Sequence, residues 1–276
     1  MIVNTLKTSA LLILLCLHSI LFSQKVEQYH FNCVNETEKY SILEIDPYGN
    51  IYVVDEKNRL SIINSQGTPL FSYSNPNYGT LLSIDVQNPK KIMLFYKDAA
   101  IIQFLSEQLT PITEPISLFK LNYFNISLAA YNSSNSIFLF DDTERKLIIL
   151  DFFMNEKSKV QILNSAFNPS KMVSLSNNKL LLQDPLEGFI FFDAFGTLEK
   201  EISLQIPNDF QINESKIFYI QDTTLREYNF EKLELLQLPL SEITPNAPQL
   251  IILKKSGQLL IGIDFFRKIF IGTKIF

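Results

Sequence analysis

The chain has 276 residues, 46% of them hydrophobic, and a net charge of −5. So much apolar material excludes a disordered chain. An acidic balance with no run of Lys or Arg excludes a general nucleic-acid binder, whose affinity rests on neutralising phosphates.

In chain order, the first stretch reads as a targeting segment. Lys7 supplies a positive start, Ala10–Phe22 is apolar, and Ser23-Gln24 offers a small residue for cleavage. The apolar run is shorter than the about 20 residues a membrane span needs. Residues 1–23 are therefore expected to be a signal peptide, with an uncleaved anchor as the alternative, and 24–276 a single domain. An exported protein follows, placed in a periplasm, at an outer membrane or secreted. Cys16 follows Leu14-Leu15 rather than the small residues of a lipid-anchor site, so it belongs to the leader. Cys33 is then the sole cysteine of the mature chain, and stability has to come from packing rather than a disulfide.

Lys25–Phe31 alternates apolar and polar residues like a half-buried strand, but has no partner nearby in sequence. Leu43–Ile63 then gives a strand, a Pro-Tyr-Gly-Asn turn, a β-branched strand, an Asp-led turn and a third strand. The pattern recurs. Apolar second strands at Ile51–Val54, Ile92–Tyr96, Ile137–Phe140, Leu180–Gln183, Ile217–Gln221 and Leu259–Ile263 each precede an Asp. These are Asp55, Asp98, Asp141 or Asp142, Asp184, Asp222 and Asp264, recurring about every forty residues, the period of four-stranded propeller blades. Turns rich in Asn, Gly, Ser and Pro precede those strands, and a third strand follows each Asp.

Five units also carry a more polar fourth strand: Pro69–Tyr73, Ile112–Leu118, Lys159–Leu163, Glu199–Ile206 and Leu235–Leu240. The sixth ends without one, and the orphan Lys25–Phe31 matches the gap. The expectation is an all-β, six-bladed β-propeller of four-stranded antiparallel blades, its ring closed by the N-terminal strand so that no edge is left unpaired.

The first unit resembles the NHL type of propeller repeat through Asp46, Gly49, Asn50, Ile51–Val54, Asp55, Asn58 and Arg59. The other five units share its rhythm and the Asp. The resemblance implies a six-bladed ring used mainly as a binding scaffold.

The residues themselves narrow the chemistry. His30 is the only histidine beyond the leader, which leaves neither a Ser-His-Asp system nor a His/Cys zinc site an obvious home. The absence of Trp excludes sialidase-type Asp boxes and Trp-based quinone-binding repeats. No P-loop or dinucleotide motif occurs, and neither a cofactor nor a resident metal is expected. In a propeller the Asp turns share a rim with the connections between blades. Asp55, Asp98, Asp142, Asp184, Asp222 and Asp264 either shape their own turns or form an acidic rim. Asn75, Tyr78, Tyr123, Phe167, Asp209 and Phe210 lie on the connections and offer a protein or glycan partner contact area, unless their aromatics tuck between blades. The expected function is a non-catalytic binding scaffold, monomeric, with an envelope complex as one setting. The alternative is a metal-dependent hydrolase or lactonase with a carboxylate site in the central channel, for which Glu44, Asp85 and Asn125 are the candidates.

Overall fold

The structure, a computed structural model, describes residues 28–34, 37–162, 164, 166–175, 178–206, 209–243, 250–256, 259–264 and 266–274. The leader, the start of the closing strand at 25–27 and the connection 245–249 lie outside the described residues. So do parts of two turns, at 177 and 257–258.

The closing strand is β1 (Tyr29–Cys33). Blade 1 follows as β2 (Tyr40–Ile45), β3 (Ile51–Asp55), β4 (Leu60–Ile63) and β5 (Pro69–Tyr73). Blade 2 is β6 (Ser83–Asp85), β7 (Ile92–Tyr96), β8 (Ile101–Leu105) and β9 (Ile116–Ser117). Blade 3 is β10 (Ile126–Tyr131), β11 (Ser136–Asp141), β12 (Lys146–Asp151) and β13 (Glu156–Gln161). Blade 4 is β14 (Lys171–Ser174), β15 (Leu180–Asp184), β16 (Gly188–Phe192) and β17 (Leu198–Ile202). Blade 5 is β18 (Phe210–Asn213), β19 (Lys216–Gln221), β20 (Thr224–Asn229) and β21 (Glu234–Pro239), and one helical turn, Leu240–Ile243, leads out of it. Blade 6 is β22 (Leu250–Ser256), β23 (Leu259–Asp264) and β24 (Ile269–Lys274), with β1 as its fourth strand.

Each sheet is a four-stranded antiparallel meander, and the six form the expected propeller. The middle strands of blades 1 to 4 are largely apolar because both of their faces are covered. In β11, Ile137 and Leu139 pack toward blade 2, while Phe138 and Phe140 pack toward blade 4. Alternation sends neighbours to opposite faces, so burial on two sides demands an uninterrupted apolar run. Six buried clusters result, one in each seam between adjacent blades. The fourth strands are largely exposed, as β13 (EKSKVQ) illustrates, and take polar residues accordingly.

Closure is as the sequence foretold, with the strand ending two residues later than Phe31: β1 pairs with β24 from Tyr29 opposite Lys274 to Cys33 opposite Phe270. Phe31 lies directly opposite Gly272, and a Cβ at that glycine would come within 2.7 Å of the phenyl ring. Glycine is required there so that the ring can lie against the strand. The fourth strand of blade 2 is shorter than expected, two residues instead of seven. Pro111 and Pro115 remove donors from that edge. The edge of β8 is covered instead by an isolated bridge from Leu105 to Pro111 and a bond from Ile112 N–H to the Phe104 carbonyl (3.0 Å).

Candidate functional site

On the rim that joins blade to blade, the Asp residues divide into two groups. Asp55, Asp184 and Asp264 are buried and accept main-chain N–H groups of their own turns. Asp55 takes Lys57 and Arg59 (2.9 Å each), Asp184 takes Leu186 (2.7 Å), and Asp264 takes Lys268 (2.8 Å). An aspartate that closes such a turn recurs because the turn recurs. In blade 3 this role belongs to Asp141, buried and bonded to Glu144 N–H (2.8 Å). Asp142 is exposed, and its own N–H reaches back to the Asn125 carbonyl (3.0 Å).

Asp98 and Asp222 are exposed as well. Asp222 and Thr223 both take positive φ (51° and 59°), the two-residue hairpin conformation that Asp tolerates, so that turn is made by backbone geometry rather than by a capping carboxylate. The expected ring of six equivalent aspartates is thus three turn-formers and three solvated charges.

Asn58 and Arg59 of blade 1 show how such a turn is locked. The Arg59 guanidinium bonds Asp55 (3.0 Å) and Glu38 (2.7 Å). Asn58, at φ 60°, accepts the N–H of Leu81 (3.2 Å), which ties this turn to blade 2. Arg145 does the same for blade 3, donating to the carbonyls of Asn164 (2.8 Å) and Phe167.

The connections place their aromatics unequally. Asn75 caps a short 3₁₀ turn by accepting Asn77 N–H (3.0 Å), and Tyr78 packs edge-on against buried Tyr96 (5.3 Å). Tyr123 reaches Glu156 through its hydroxyl (3.3 Å). Phe167 and Phe210 are not rim contacts. Phe167 fills the seam between blades 3 and 4, and Phe210 packs edge-on against Phe189 (5.2 Å) between blades 4 and 5. Phe119 and Phe124 stay exposed and stack at 6.3 Å, and Leu186 and Phe266 stand out on the same rim.

Innermost strands from all six blades wall a channel whose free space is about 410 Å³. Four charges meet there across the ring. The Lys254 ammonium, with its side chain only 2% exposed, bonds Glu44 (2.7 Å) and Asp209 (3.2 Å). Lys171 bonds the same two carboxylates, Glu44 at 3.4 Å and Asp209 more closely. Burial opposes charging Lys171, yet Asp209 and Glu44 hold its ammonium above the usual lysine range. Burial likewise disfavours the Asp209 anion, yet the two ammonium groups hold its carboxyl well below the usual range.

Asp85, from blade 2, stands apart from this tetrad. It accepts the N–H groups of Gln87 and Tyr131 (3.0 Å each), and among the described residues it forms no salt bridge. Burial, with a smaller push from Glu44, raises its carboxyl to about 7 against the opposing pull of those two bonds.

Glu44 and Asp85 do share the channel wall, but Asn125 sits exposed at the rim. Two lysine ammonium groups already lie between Glu44 and Asp209, so a divalent ion bridging those carboxylates would have to displace both. Among the described residues no group of three or more His, Cys, Asp or Glu side chains is placed to hold a metal ion. The donor set does not fit the hydrolase reading.

Asp209, expected as a rim residue, is a channel residue. Lys171 and Lys254 went unread altogether. Their one sequence signal is a lysine embedded in, or opening, an apolar inner strand, as in LIILKKS.

No family model and no curated protein matches the chain. Solved structures do. A virginiamycin B lyase from Staphylococcus aureus, in a catalytically inactive form with quinupristin, superposes with a TM-score of 0.57 at 11% identity. The match covers 90% of this chain and 100% of that one. The Pan2 WD40 domain of Neurospora crassa superposes at 0.61 and 9% identity over 90% and 96% of the two chains. The RRP9 WD40 repeats do so at 0.60 and 10% identity over 90% and 100%. Identities this low establish the shared propeller fold and leave function to the residues of this chain.

Proposed function

We propose that the chain is an exported, monomeric, non-catalytic scaffold of NHL-like type that recognises a protein or glycan partner, within an envelope complex, through the rim where the blades connect. The observation that carries this reading is the Phe119–Phe124 stack. Two large apolar rings are held in solvent by a loop whose backbone closes on itself. Leu121 N–H and Tyr123 N–H both donate to the Leu118 carbonyl (3.0 and 2.9 Å), and Asn122 N–H donates to that of Phe119 (3.1 Å). A recognition surface held rigid in this way avoids the ordering cost of binding. Exposed Asp98, Asp142 and Asp222 add negative charge to the same rim, which favours a partner with basic or hydroxyl-rich contacts.

The test is capture of cross-linked partners from native envelopes with the wild type, with Phe124→Ala plus Leu186→Ser, and with Phe153→Gln on the opposite face. A partner lost only in the rim variant supports the proposal, and one retained by all three overturns it. A stabilising thermal shift with Ca²⁺, Mg²⁺, Mn²⁺ or Zn²⁺ that a chelator reverses would restore the metal-dependent reading.

A further inference from the structure

The opposite face carries a pattern that turn geometry does not require. Five blades have a described turn between third and fourth strands, and all are built alike. An Asn, Ser or Asp accepts the N–H of the residue two positions on. Asn64 takes Gln66, Ser106 takes Gln108, Asp151 takes Phe153, Asp193 takes Phe195, and Asn229 takes Glu231. The tip is therefore Gln, Gln, Phe, Phe and Glu in turn. A glutamine serves equally well, yet neighbouring blades 3 and 4 display phenylalanines that are 83% and 77% exposed, and blade 5 adds Leu233 at 71%.

Beside Phe153 lies a notch of about 260 Å³, lined among others by Lys91, Ser134, Asn135 and Lys157. Lys91 bonds Asn135 (3.0 Å) and lies 4.0 Å over the Phe152 ring, and Lys157 bonds Ser136 (3.1 Å). Among the described residues neither lysine forms a salt bridge, and Asp151, which also lines the notch, spends its oxygens on Phe153 N–H and on Asn155. The notch thus presents two lysines, one ionised aspartate that Lys157 faces electrostatically, and two short polar side chains next to an apolar tip, a net positive charge.

Strand direction adds a third observation. Tyr29 pairs with Lys274, so β1 begins at the end of blade 6 that carries these turns in the other blades. An uncleaved leader, the alternative to a signal peptide, would therefore join the propeller on this face.

From these three observations we propose that this face docks on a bilayer containing anionic lipid. Phe153, Phe195 and Leu233 enter the interfacial layer, and Lys91 and Lys157 take the headgroup phosphates. Separate convex tips bury little against another folded surface unless it carries a matching pocket for each, whereas a fluid interface accepts them without a match. Apolar insertion joined to attraction for anionic headgroups is the general physics of peripheral membrane binding. This inference does not depend on the rim reading.

The test uses the chain from Gln24 onward, which retains every strand, in co-sedimentation with vesicles of phosphatidylcholine alone or mixed with phosphatidylglycerol. The wild type is expected to partition onto the mixed vesicles. Phe153→Gln plus Phe195→Gln, which copies the tips of blades 1 and 2, should lower that partition about tenfold or more at an unchanged melting temperature. Lys91→Gln plus Lys157→Gln should abolish the preference for anionic vesicles. Equal vesicle binding by wild type and the Phe variant overturns the proposal, as does no binding at all. A thermal shift with inorganic phosphate but no vesicle binding would assign the notch to a free anion instead. A dimer in sedimentation that the Phe variant dissolves would assign the tips to a second copy.

Discussion

Asp209 and Asp85 face the same channel, yet one carboxyl is held ionised and the other is pushed toward its neutral form. Asp209 sits between two ammonium groups contributed by blades 4 and 6, whereas among the described residues Asp85 is met by the backbone N–H groups of Gln87 and Tyr131 alone. Burial acts on both in the same direction, and the neighbours decide the outcome. The difference teaches that the tetrad links blades 1, 4, 5 and 6 by charge, while Asp85 links blade 2 to blade 3 by hydrogen bonds that a neutral side chain could partly replace.

The sharpest way to break this contrast is Lys254→Met, which leaves two carboxylates to share one lysine. Removing one partner of a buried ion pair costs about 3–5 kcal/mol, so the melting temperature at neutral pH should fall by roughly 6–15 °C. Adding Glu44→Gln restores the charge balance and should recover a large part of that loss. A single variant that melts within about 2 °C of wild type would show that the four charges do not act as one network.

The pH dependence gives the next largest effect, and its sign differs for the two aspartates. Asp85 has a raised folded-state pKa, so its contribution is fullest below the unfolded value near 3.8 and is lost as pH rises toward about 7. Between pH 5 and 7 that amounts to about 2–3 kcal/mol, and Asp85→Asn should flatten this slope in denaturant titrations. Asp209 is depressed, so its contribution is present above the unfolded value near 3.8 and is lost as pH falls below it. Asp209→Asn should therefore leave the slope between pH 5 and 7 untouched. A slope that survives Asp85→Asn would assign the titration elsewhere.

The smallest expected effect belongs to Ser174, whose hydroxyl lies buried in the channel wall without a hydrogen-bond partner among the described residues. Ser174→Ala should stabilise by about 1 kcal/mol or less in a urea titration, since it removes an unsatisfied polar group. A loss of about 2 kcal/mol or more would show that the hydroxyl holds a water or ligand.

The blades were legible in sequence because their middle strands bury both faces. Segments such as Ser136–Asp141 and Ile92–Tyr96 then read as unbroken apolar runs between turn residues. The missing and surplus strands at the two ends revealed the closure. Edge strands carry no such signature: β9 shrinks to two residues because prolines and bridging bonds cover the edge of β8, which no periodicity records. The channel was harder still. Glu44 and Lys254 lie more than two hundred positions apart, and only the ring brings them within 2.7 Å. Tyr78 packs against Tyr96, and Tyr123 reaches Glu156 from the connection before blade 3. Phe167 and Phe210 take the second of the two places the sequence left open, the seam, because an aromatic in or beside a connection looks the same in sequence whether it faces solvent or a seam.

The Phe31–Gly272 contact has a consequence for how the ring is made. Among the described strands, the one that fastens the toroid is made first and its sheet partner β24 last. Blades 1 to 5 can each form as their own hairpins emerge, but the sixth has to wait for β24. Until then the molecule is an open arc, and it shuts in a single late step that joins residues more than two hundred positions apart.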